Sequence, residues 1–185
     1  MMKHIAVYLG SAPACKDLYK ALARELGRRL ALAGHTVVYG GAAVGTMGAL
    51  ADGVQEAGGR IVGVFPRGFR GTKEVRESGV EVIRKGLSEF IETADFAERK
   101  QVMEDRSDAC IVMPGSFGTL DELFTYACNR AIGKHEKPII IFNHEGYYDP
   151  LKALFGNMQE AGFLKPVMAG AVTFCDSVDA IVDRL

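Results

Sequence analysis

The sequence lacks an excess of charge of either sign. Its 185 residues include 22 basic and 23 acidic side chains, which leaves a net charge of −1. Proteins that bind nucleic acids or anionic membranes usually present a basic surface, and this composition gives no hint of one. We therefore expect no nucleic-acid partner and no membrane partner.

Long apolar runs and paired cysteines are also missing. The longest apolar runs, such as Pro138–Phe142, have the length of a strand and fall far short of the ~20 residues of a membrane span. The first residues enter a predicted strand directly, without the apolar segment and cleavage site of a signal peptide. Four cysteines form no C-x-x-C pair, and Cys110 and Cys175 stand inside strand-like runs. They are interpreted as buried free thiols, so we expect a cytoplasmic protein.

What the sequence does contain is a regular alternation of apolar runs and longer amphipathic segments. The apolar runs are continuous rather than alternating with polar residues, which indicates strands buried on both faces of a parallel sheet. With right-handed crossovers, this predicts an α/β fold: a three-layer, doubly wound, Rossmann-like parallel sheet with helices on both faces. The length predicts a single nucleotide-binding domain over residues 1–185.

The predicted elements follow from these runs. Residues 67–79 are charged and contain glycine, which predicts a mobile surface loop, and a long helix is predicted from Ser88 to Arg106. The predicted strands cover residues 4–10, 35–41, 60–66, 109–115, 137–143 and 171–176, with a further short one at 80–84.

Three predicted strand ends are rich in glycine and hydroxyl side chains. Glycines let backbone N–H groups approach a ligand, and a helix that begins there adds unpaired donors and the positive end of its dipole. Each of these ends alone could be an ordinary turn. Three on one edge of one sheet, where doubly wound folds bind their ligands, predict a nucleotide with a phosphate group. The residues are Gly10 and Ser11 in the first, Gly40, Gly41 and Gly45 in the second, and Gly115, Ser116, Gly118 and Thr119 in the third.

Several common site motifs are absent. The second glycine-rich segment does not match G-x-G-x-x-G, and the sequence holds no G-x-x-x-x-G-K-[ST] and no G-x-S-x-G. The four histidines are scattered, without a cysteine or carboxylate at metal-ligand spacing. We therefore expect no metal site and no cofactor.

Two charged residues have both a structural and a functional interpretation. Thr119–Glu122 (TLDE) matches a capping box with Thr119 as N-cap, but the Glu122 carboxylate could also reach a sugar bound beside the loop. Arg99 could be a solvent-facing partner of Asp95, or it could reach inward to a phosphate or a base. Spacing along the chain does not decide between these alternatives.

The segment Glu98–Lys100 (ERK), followed by residues 108–122 (DACIVMPGSFGTLDE), resembles the signature of the Lonely Guy family, P-G-G-x-G-T-x-x-E. Residues 38–53 (VYGGAAVGTMGALADG) are similar to the family's glycine-rich second loop, and residues 146–151 (GYYDPL) to its late segment. The resemblance covers the chain from Ile5 to about Leu164. Some relatives carry a lysine-decarboxylase label, but nothing in this sequence suggests the pyridoxal phosphate site that such chemistry needs.

The resemblance implies a phosphoribohydrolase, which cleaves the N-glycosidic bond of a purine or cytokinin riboside 5′-monophosphate, AMP included. The family's catalytic arginine and glutamate fall on Arg99 and Glu122, and its phosphate loop falls on residues 115–119. Lys100 is a further candidate for binding phosphate or substrate. A carboxylate suits this chemistry because glycosidic cleavage passes through an oxocarbenium-like state. Family members are usually dimers, so we expect a homodimer.

The sequence departs from the family pattern in three places, one of which is residues 40–45 (GGAAVG), with two alanines where a glycine and a small polar residue are common. Ser116 stands where the family usually has its second glycine, and a serine there would be strained if the backbone φ were positive. Residues 128–133 (CNRAIG) replace a segment near the base or the dimer contact, which leaves the preferred base open. Two rival hypotheses are a non-catalytic nucleotide sensor and a molybdenum-cofactor carrier on the same fold. Both need the glycines, but neither needs Arg99 together with Glu122.

Overall fold

Seven parallel strands form the centre of the protein. In the computed structural model, which describes residues 1–71, 73–77, 79 and 81–185, the strands lie in the order β4-β3-β2-β1-β5-β6-β7. Each neighbouring pair is parallel, so the predicted doubly wound α/β fold is confirmed. The strands are β1 (His4–Tyr8), β2 (Thr36–Tyr39), β3 (Arg60–Pro66), β4 (Glu89–Thr93), β5 (Ala109–Val112), β6 (Ile139–Phe142) and β7 (Val172–Cys175).

Helices cover both faces of the sheet because alternate strand residues point to opposite sides. Ile5 and Val7 of β1 belong to a core shared with two long helices and the last one, whereas Ala6 and Tyr8 belong to a second core on the other face. The helices are α1 (Asp17–Leu32), α2 (Gly45–Glu56), α3 (Lys73–Glu77), α4 (Phe96–Asp105), α5 (Phe117–Ala131), α6 (Asp149–Glu160), α7 (Pro166–Ala169) and α8 (Val178–Val182), with a 3-10 turn at His144–Gly146. Helices α1, α2 and α8 contribute to the first core and α4, α5 and α6 to the second.

The predicted long helix from Ser88 to Arg106 is wrong in its first half. Residues Glu89–Thr93 pair with β3 as an edge strand, and the helix begins only at Phe96. Asp95 stops the helix from extending backwards, because its side chain accepts a hydrogen bond from the Glu98 backbone N–H at 2.9 Å. The Glu98 carboxylate in turn accepts one from the Ala94 N–H at 2.6 Å, which ties the residue before the N-cap to the first turn of the helix.

The segment between β3 and β4 also differs from expectation. The predicted loop at 67–79 contains the short helix α3, and two of its residues, Thr72 and Ser78, lie outside the described residues. Of the predicted strand at 80–84, Ile83 forms an isolated antiparallel bridge to Ala42, and Val80 lies outside the described part. This bridge lays the segment across the second glycine-rich loop.

The sheet order reverses next to β1. From β1 the chain builds outward through β2, β3 and β4, then crosses back to place β5 on the other side of β1. A doubly wound sheet has a crevice at this point, beyond the carboxyl ends of the strands. Two of the three glycine-rich segments follow β1 and β5, so they flank this crevice.

Two further features concern the chain as a whole. Among the described helices, not one combines the length and the apolar character needed to cross a membrane. All four cysteines, each within the described part of the chain, are free thiols, and Cys110 and Cys175 are buried as predicted.

Candidate active site

The three glycine-rich segments touch one another at the carboxyl edge of the sheet. Thr46, at the start of α2, donates a hydrogen bond from its hydroxyl to the Gly10 carbonyl at 2.6 Å. A Cβ atom on Gly10 would lie only 3.9 Å from the Gly115 Cα, so the segments after β1 and β5 pass in contact. Gly45, at φ 62°, packs its backbone against Ser11 and Ala12. The segment after β2 therefore packs against the segment after β1, and the segment after β1 lies beside the segment after β5.

A cleft opens above this junction. Eight of the twelve predicted site residues line it: Gly10, Ser11, Gly40, Arg99, Ser116, Gly118, Thr119 and Glu122. Gly115 lines an adjoining cavity with Tyr19 and Tyr147, and the Tyr147 hydroxyl donates to the Gly115 carbonyl at 2.8 Å. Gly45 lines a third cavity, on the side of α1 and α2. Gly41, at φ 74°, lies against the ring of Phe65.

An ion pair lies at the floor of the cleft. The Arg99 Nη1 atom is 3.1 Å from the Glu122 Oε1 atom, and the two side chains are only 8% and 6% exposed. Arg99 is also anchored from behind, because its Nε donates to the Val64 carbonyl at the end of β3 at 3.1 Å. The interpretation of Arg99 as a solvent-facing partner of Asp95 is therefore wrong. The guanidinium reaches inward and is fixed at two points.

The charge state of Glu122 is set by opposing influences. Burial raises the pKa of its carboxyl and Arg99 lowers it, while Asp121 raises it and Lys100 lowers it to a smaller extent; the net result is a pKa of about 7 instead of 4.5. A carboxyl that titrates near neutrality can change its protonation state during a reaction, as a general base must. Perturbed carboxyls in clefts are typical of functional sites.

The absence of a side chain at Gly40 leaves space for the Arg99 guanidinium. A Cβ atom built on Gly40 would overlap the Arg99 Nη2 atom. Any larger residue at this position would therefore displace the guanidinium from Glu122. The second glycine-rich segment therefore contributes to the ion pair sterically, because its glycine leaves space for the arginine.

Helix α5 begins earlier than the capping-box interpretation requires. Its N-cap is Ser116 and its first residue is Phe117, so Thr119 falls in the first turn and Glu122 in the second. The interpretation of Thr119 and Glu122 as a capping box is wrong. The Leu120 N–H makes the first intrahelical bond, to the Ser116 carbonyl at 3.0 Å, and the N–H groups before it lie at the positive end of the helix dipole.

Ser116 fits its position without strain. Its φ is −109°, a backbone conformation that any residue adopts, so the serine does not require the freedom of glycine. Within the described residues its side chain makes no capping hydrogen bond, and it lines the cleft. Gly115 is the position that needs a glycine, because a Cβ there would overlap the buried Thr119 side chain.

Three phenylalanines form one wall of the same cleft, and sequence reasoning missed them. The ring centroids of Phe65 and Phe69 are 5.7 Å apart, and those of Phe69 and Phe96 are 5.1 Å apart. Phe65 is buried, but Phe69 and Phe96 are 38% and 47% exposed toward the cleft. The Arg99 guanidinium lies 5.7 Å from the Phe96 ring centroid, which joins this wall to the ion pair. The three residues come from a strand end, a loop and a helix start, so no sequence motif marks them.

Lys100 lies away from the cleft lining. Its ammonium group contacts both Asp121 carboxylate oxygens, at 2.9 and 2.8 Å, and the Thr125 hydroxyl at 3.0 Å. These contacts join α4 to α5 and use all three of the lysine's donors. Across the described side chains, no group of three or more histidine, cysteine, aspartate or glutamate residues could hold a metal ion.

Comparison with known proteins identifies close relatives. Residues 47–185 match the family model described as Possible lysine decarboxylase. The chain is 37% identical over 174 residues to a cytokinin riboside 5′-monophosphate phosphoribohydrolase of Mycobacterium tuberculosis, covering 94% of this chain and 88% of that protein. It is 33% identical over 180 residues to the protein of the same name from Rhodococcoides fascians, covering 97% and 87%.

Solved structures share the fold. The X-ray structure of a structural-genomics target has a TM-score of 0.72 at 25% identity, covering 99% of this chain and 98% of that one. The molybdenum cofactor binding protein from Rippkaea orientalis has a TM-score of 0.73 at 21% identity, covering 100% and 95%. The second likeness is a likeness of fold alone.

Proposed function

The chain belongs to the Lonely Guy family, and from this we propose that it is a phosphoribohydrolase acting on a purine or cytokinin riboside 5′-monophosphate. It hydrolyses the N-glycosidic bond and releases the free base and ribose 5-phosphate. One observation carries the proposal for the site: a buried ion pair, Arg99 with Glu122, lies on the floor of a cleft that begins at the N-terminus of α5.

The 5′-phosphate binds at the start of α5. Gly118 and Thr119 line the cleft at the positive end of this helix, and the hydroxyls of Ser11 and Ser116 lie at the same end. Backbone N–H groups and the helix dipole favour a phosphate in this position. Gly10 leaves space for the approach because it carries no side chain between the segments after β1 and β5.

The base lies at the opposite end, against Phe69 and Phe96. The sheet order separates β5 from β3 by three strand spacings, or about 14 Å. A nucleoside monophosphate is extended enough to span a cleft of this width, with its phosphate at α5 and its base at the aromatic wall. Aromatic rings stack on purines and also accept apolar substituents on them. The ribose then lies over the ion pair, between the two ends.

Glu122 provides the reacting carboxylate. As the glycosidic C–N bond breaks, its electron pair moves to the base nitrogen, and positive charge develops at the anomeric carbon. The ionised carboxylate stabilises that charge and accepts a proton from the attacking water, whose oxygen forms the new bond to the anomeric carbon. The departing base nitrogen takes up a proton from solvent, and Glu122 afterwards releases to solvent the proton that it accepted from water. Arg99 holds the carboxylate in position through its Nη1 atom.

The proposed activity is tested with AMP and, separately, with isopentenyladenosine monophosphate. The products are separated by liquid chromatography, and release of free base with ribose 5-phosphate is expected from the wild type. Glu122→Gln should lower kcat by a factor on the order of 100 or more, because it removes the charge that stabilises the transition state. Glu89→Gln is the matched control, since Glu89 is half-buried on β4 and pairs with Arg106. If the wild type binds both nucleotides and leaves them uncleaved, the sensor or carrier hypothesis replaces this one.

Three finer features complete the proposal. AMP is a substrate, because the cleft has room for a base without a substituent. The protein is cytoplasmic, since four free thiols suit a reducing compartment. The protein is a homodimer, and Phe117 supports this: it is 90% exposed beside the phosphate end of the cleft, where a second copy would cover it.

A further inference from the structure

Two successive residues of α4 pair with two successive residues of α5. Arg99 pairs with Glu122 at the floor of the cleft, and Lys100 pairs with Asp121 immediately outside it. The Lys100 side chain is 18% exposed, with every donor engaged, so it is held more firmly than an ordinary surface lysine. Thr125, its third contact, donates in turn to the Asp121 carbonyl at 2.7 Å. Neither Lys100 nor Asp121 belongs to the residues that line the cleft in the described structure.

We propose that Lys100 and Asp121 are positioning residues for the proposed hydrolase. Their ion pair fixes α4 against α5 so that Arg99 meets Glu122, and their opposite charges balance each other at the Glu122 carboxyl. The inference rests on the proposed function, because it assigns these residues a part in the same reaction.

Only a few charged groups influence the Glu122 carboxyl in the described structure. Among the described residues, the charges that shift the pKa of Glu122 are Arg99 and Lys100 from α4 and Asp121 from α5, and Glu122 in turn acts on Tyr8 from β1. Burial keeps the pKa of Tyr8 well above its usual range, so Tyr8 stays neutral. Arg99 belongs to the reacting pair itself. Lys100 and Asp121 are therefore the charges that can be altered without removing a group from the cleft.

Single substitutions separate the electrostatic role from simple loss of packing. Each of Lys100→Met and Asp121→Asn breaks the same ion pair, so a purely structural role predicts similar effects for both. Electrostatics predict opposite effects on Glu122. Lys100→Met leaves the negative Asp121 unpaired and raises the pKa of Glu122, whereas Asp121→Asn leaves Lys100 unpaired and lowers that pKa.

The experiment measures kcat/KM for AMP hydrolysis against pH. The reaction needs ionised Glu122, so the rate rises with pH through the pKa of this carboxyl. We expect this rise to move to higher pH in Lys100→Met and to lower pH in Asp121→Asn, by roughly half a pH unit each, the size of one partly screened charge on a neighbouring residue. The double variant should return to the wild-type midpoint but keep a reduced plateau, because the link between the helices is lost.

Glu89→Gln serves as the control for the loss of an ion pair elsewhere on α4. It breaks the pair that joins Arg106 at the end of α4 to strand β4, and it should change neither the midpoint nor the plateau. Lys100→Arg keeps the charge and should keep the wild-type midpoint. Thermal unfolding of each variant confirms that it is folded.

A second readout does not depend on catalysis. Carbon NMR titration of the Glu122 carboxyl, in protein labelled at glutamate, measures its pKa directly in each variant. Shifts in the same direction for both single variants, or no shift in either, overturn the inference. Opposite NMR shifts in a protein that hydrolyses neither nucleotide support the charge balance and reject the proposed hydrolase, so the two failures are distinguishable.

Discussion

At the scale of single residues, the site depends on a buried ion pair whose two members differ in how readily they keep their charge. Arginine retains its charge on burial more readily than a carboxyl does, because its pKa lies far above neutrality. Glu122 is therefore the member of the pair that changes its protonation near neutral pH, because its pKa is about 7. Below that pH the carboxyl is protonated and the proposed reaction slows. Above it the carboxylate is available both to the sugar and to Arg99.

Gly40 provides a residue-scale prediction. Gly40→Ala should lower kcat/KM for AMP at least tenfold, because the new methyl group overlaps the Arg99 guanidinium and displaces it from Glu122. The measurement is steady-state hydrolysis, with thermal unfolding to confirm that the variant is folded.

Gly156→Ala is the matched control for that substitution. Gly156 lies inside α6, and a Cβ atom there meets nothing within 4 Å. The alanine should leave activity unchanged and stabilise the protein by up to about 1 kcal/mol through its higher helix propensity. Wild-type activity in Gly40→Ala would show that the arginine does not need this space.

At the scale of elements, two helices bring the reacting groups together, and they begin in different ways. Helix α4 starts with two side-chain hydrogen bonds, from the Glu98 N–H to Asp95 and from the Ala94 N–H to Glu98, and Arg99 follows directly. Helix α5 starts at Ser116 without a capping hydrogen bond from that side chain, as far as the described residues show. The N-terminus of α5 is the end where we propose that the phosphate binds. At the start of α4, by contrast, the Asp95 side chain accepts the Glu98 N–H, in the turn directly before Arg99.

This difference predicts unequal stability effects of alanine at the two caps. Asp95→Ala removes a side-chain hydrogen bond to the Glu98 N–H and should lower the free energy of unfolding by about 1 kcal/mol. Ser116→Ala removes no such bond and should change it by less than about 0.5 kcal/mol. Urea unfolding of both variants against the wild type makes the comparison. A loss for Ser116→Ala equal to that for Asp95→Ala would mean that the Ser116 hydroxyl caps α5 in solution.

At the scale of the whole molecule, the exposed side of α5 is the surface where we propose that a second copy binds. Phe117 and Phe124 lie seven residues apart, hence on the same side of the helix, and are 90% and 36% exposed. The Phe124 ring also contacts Phe155, with centroids 6.4 Å apart, which extends the apolar surface toward α6. Exposed aromatic side chains of this kind are typical of protein–protein interfaces.

The proposed dimer is tested by sedimentation. Phe117→Ser should shift the protein from dimer toward monomer at micromolar concentration, because it removes a large apolar side chain from the centre of the contact. Leu32→Ser is the control, since Leu32 is 63% exposed at the end of α1, in the helix layer on the other face of the sheet. Dissociation by Leu32→Ser rather than Phe117→Ser would assign the interface to the opposite layer, and a monomeric wild type would reject the dimer.

The sequence by itself determined the features that depend on neighbours along the chain. Continuous apolar runs specified buried parallel strands, and glycines with hydroxyls after three of them marked the edge of the sheet where the cleft lies, because both signals are local. Local signals failed at residues 88–95, where a weakly apolar edge strand runs into a helix and only pairing with β3 makes it a strand. Tertiary structure alone decided that Arg99 meets Glu122, that Lys100 faces Asp121 and that three phenylalanines share one wall. These contacts join segments far apart in sequence, and the order in which the strands pack determines which of them meet.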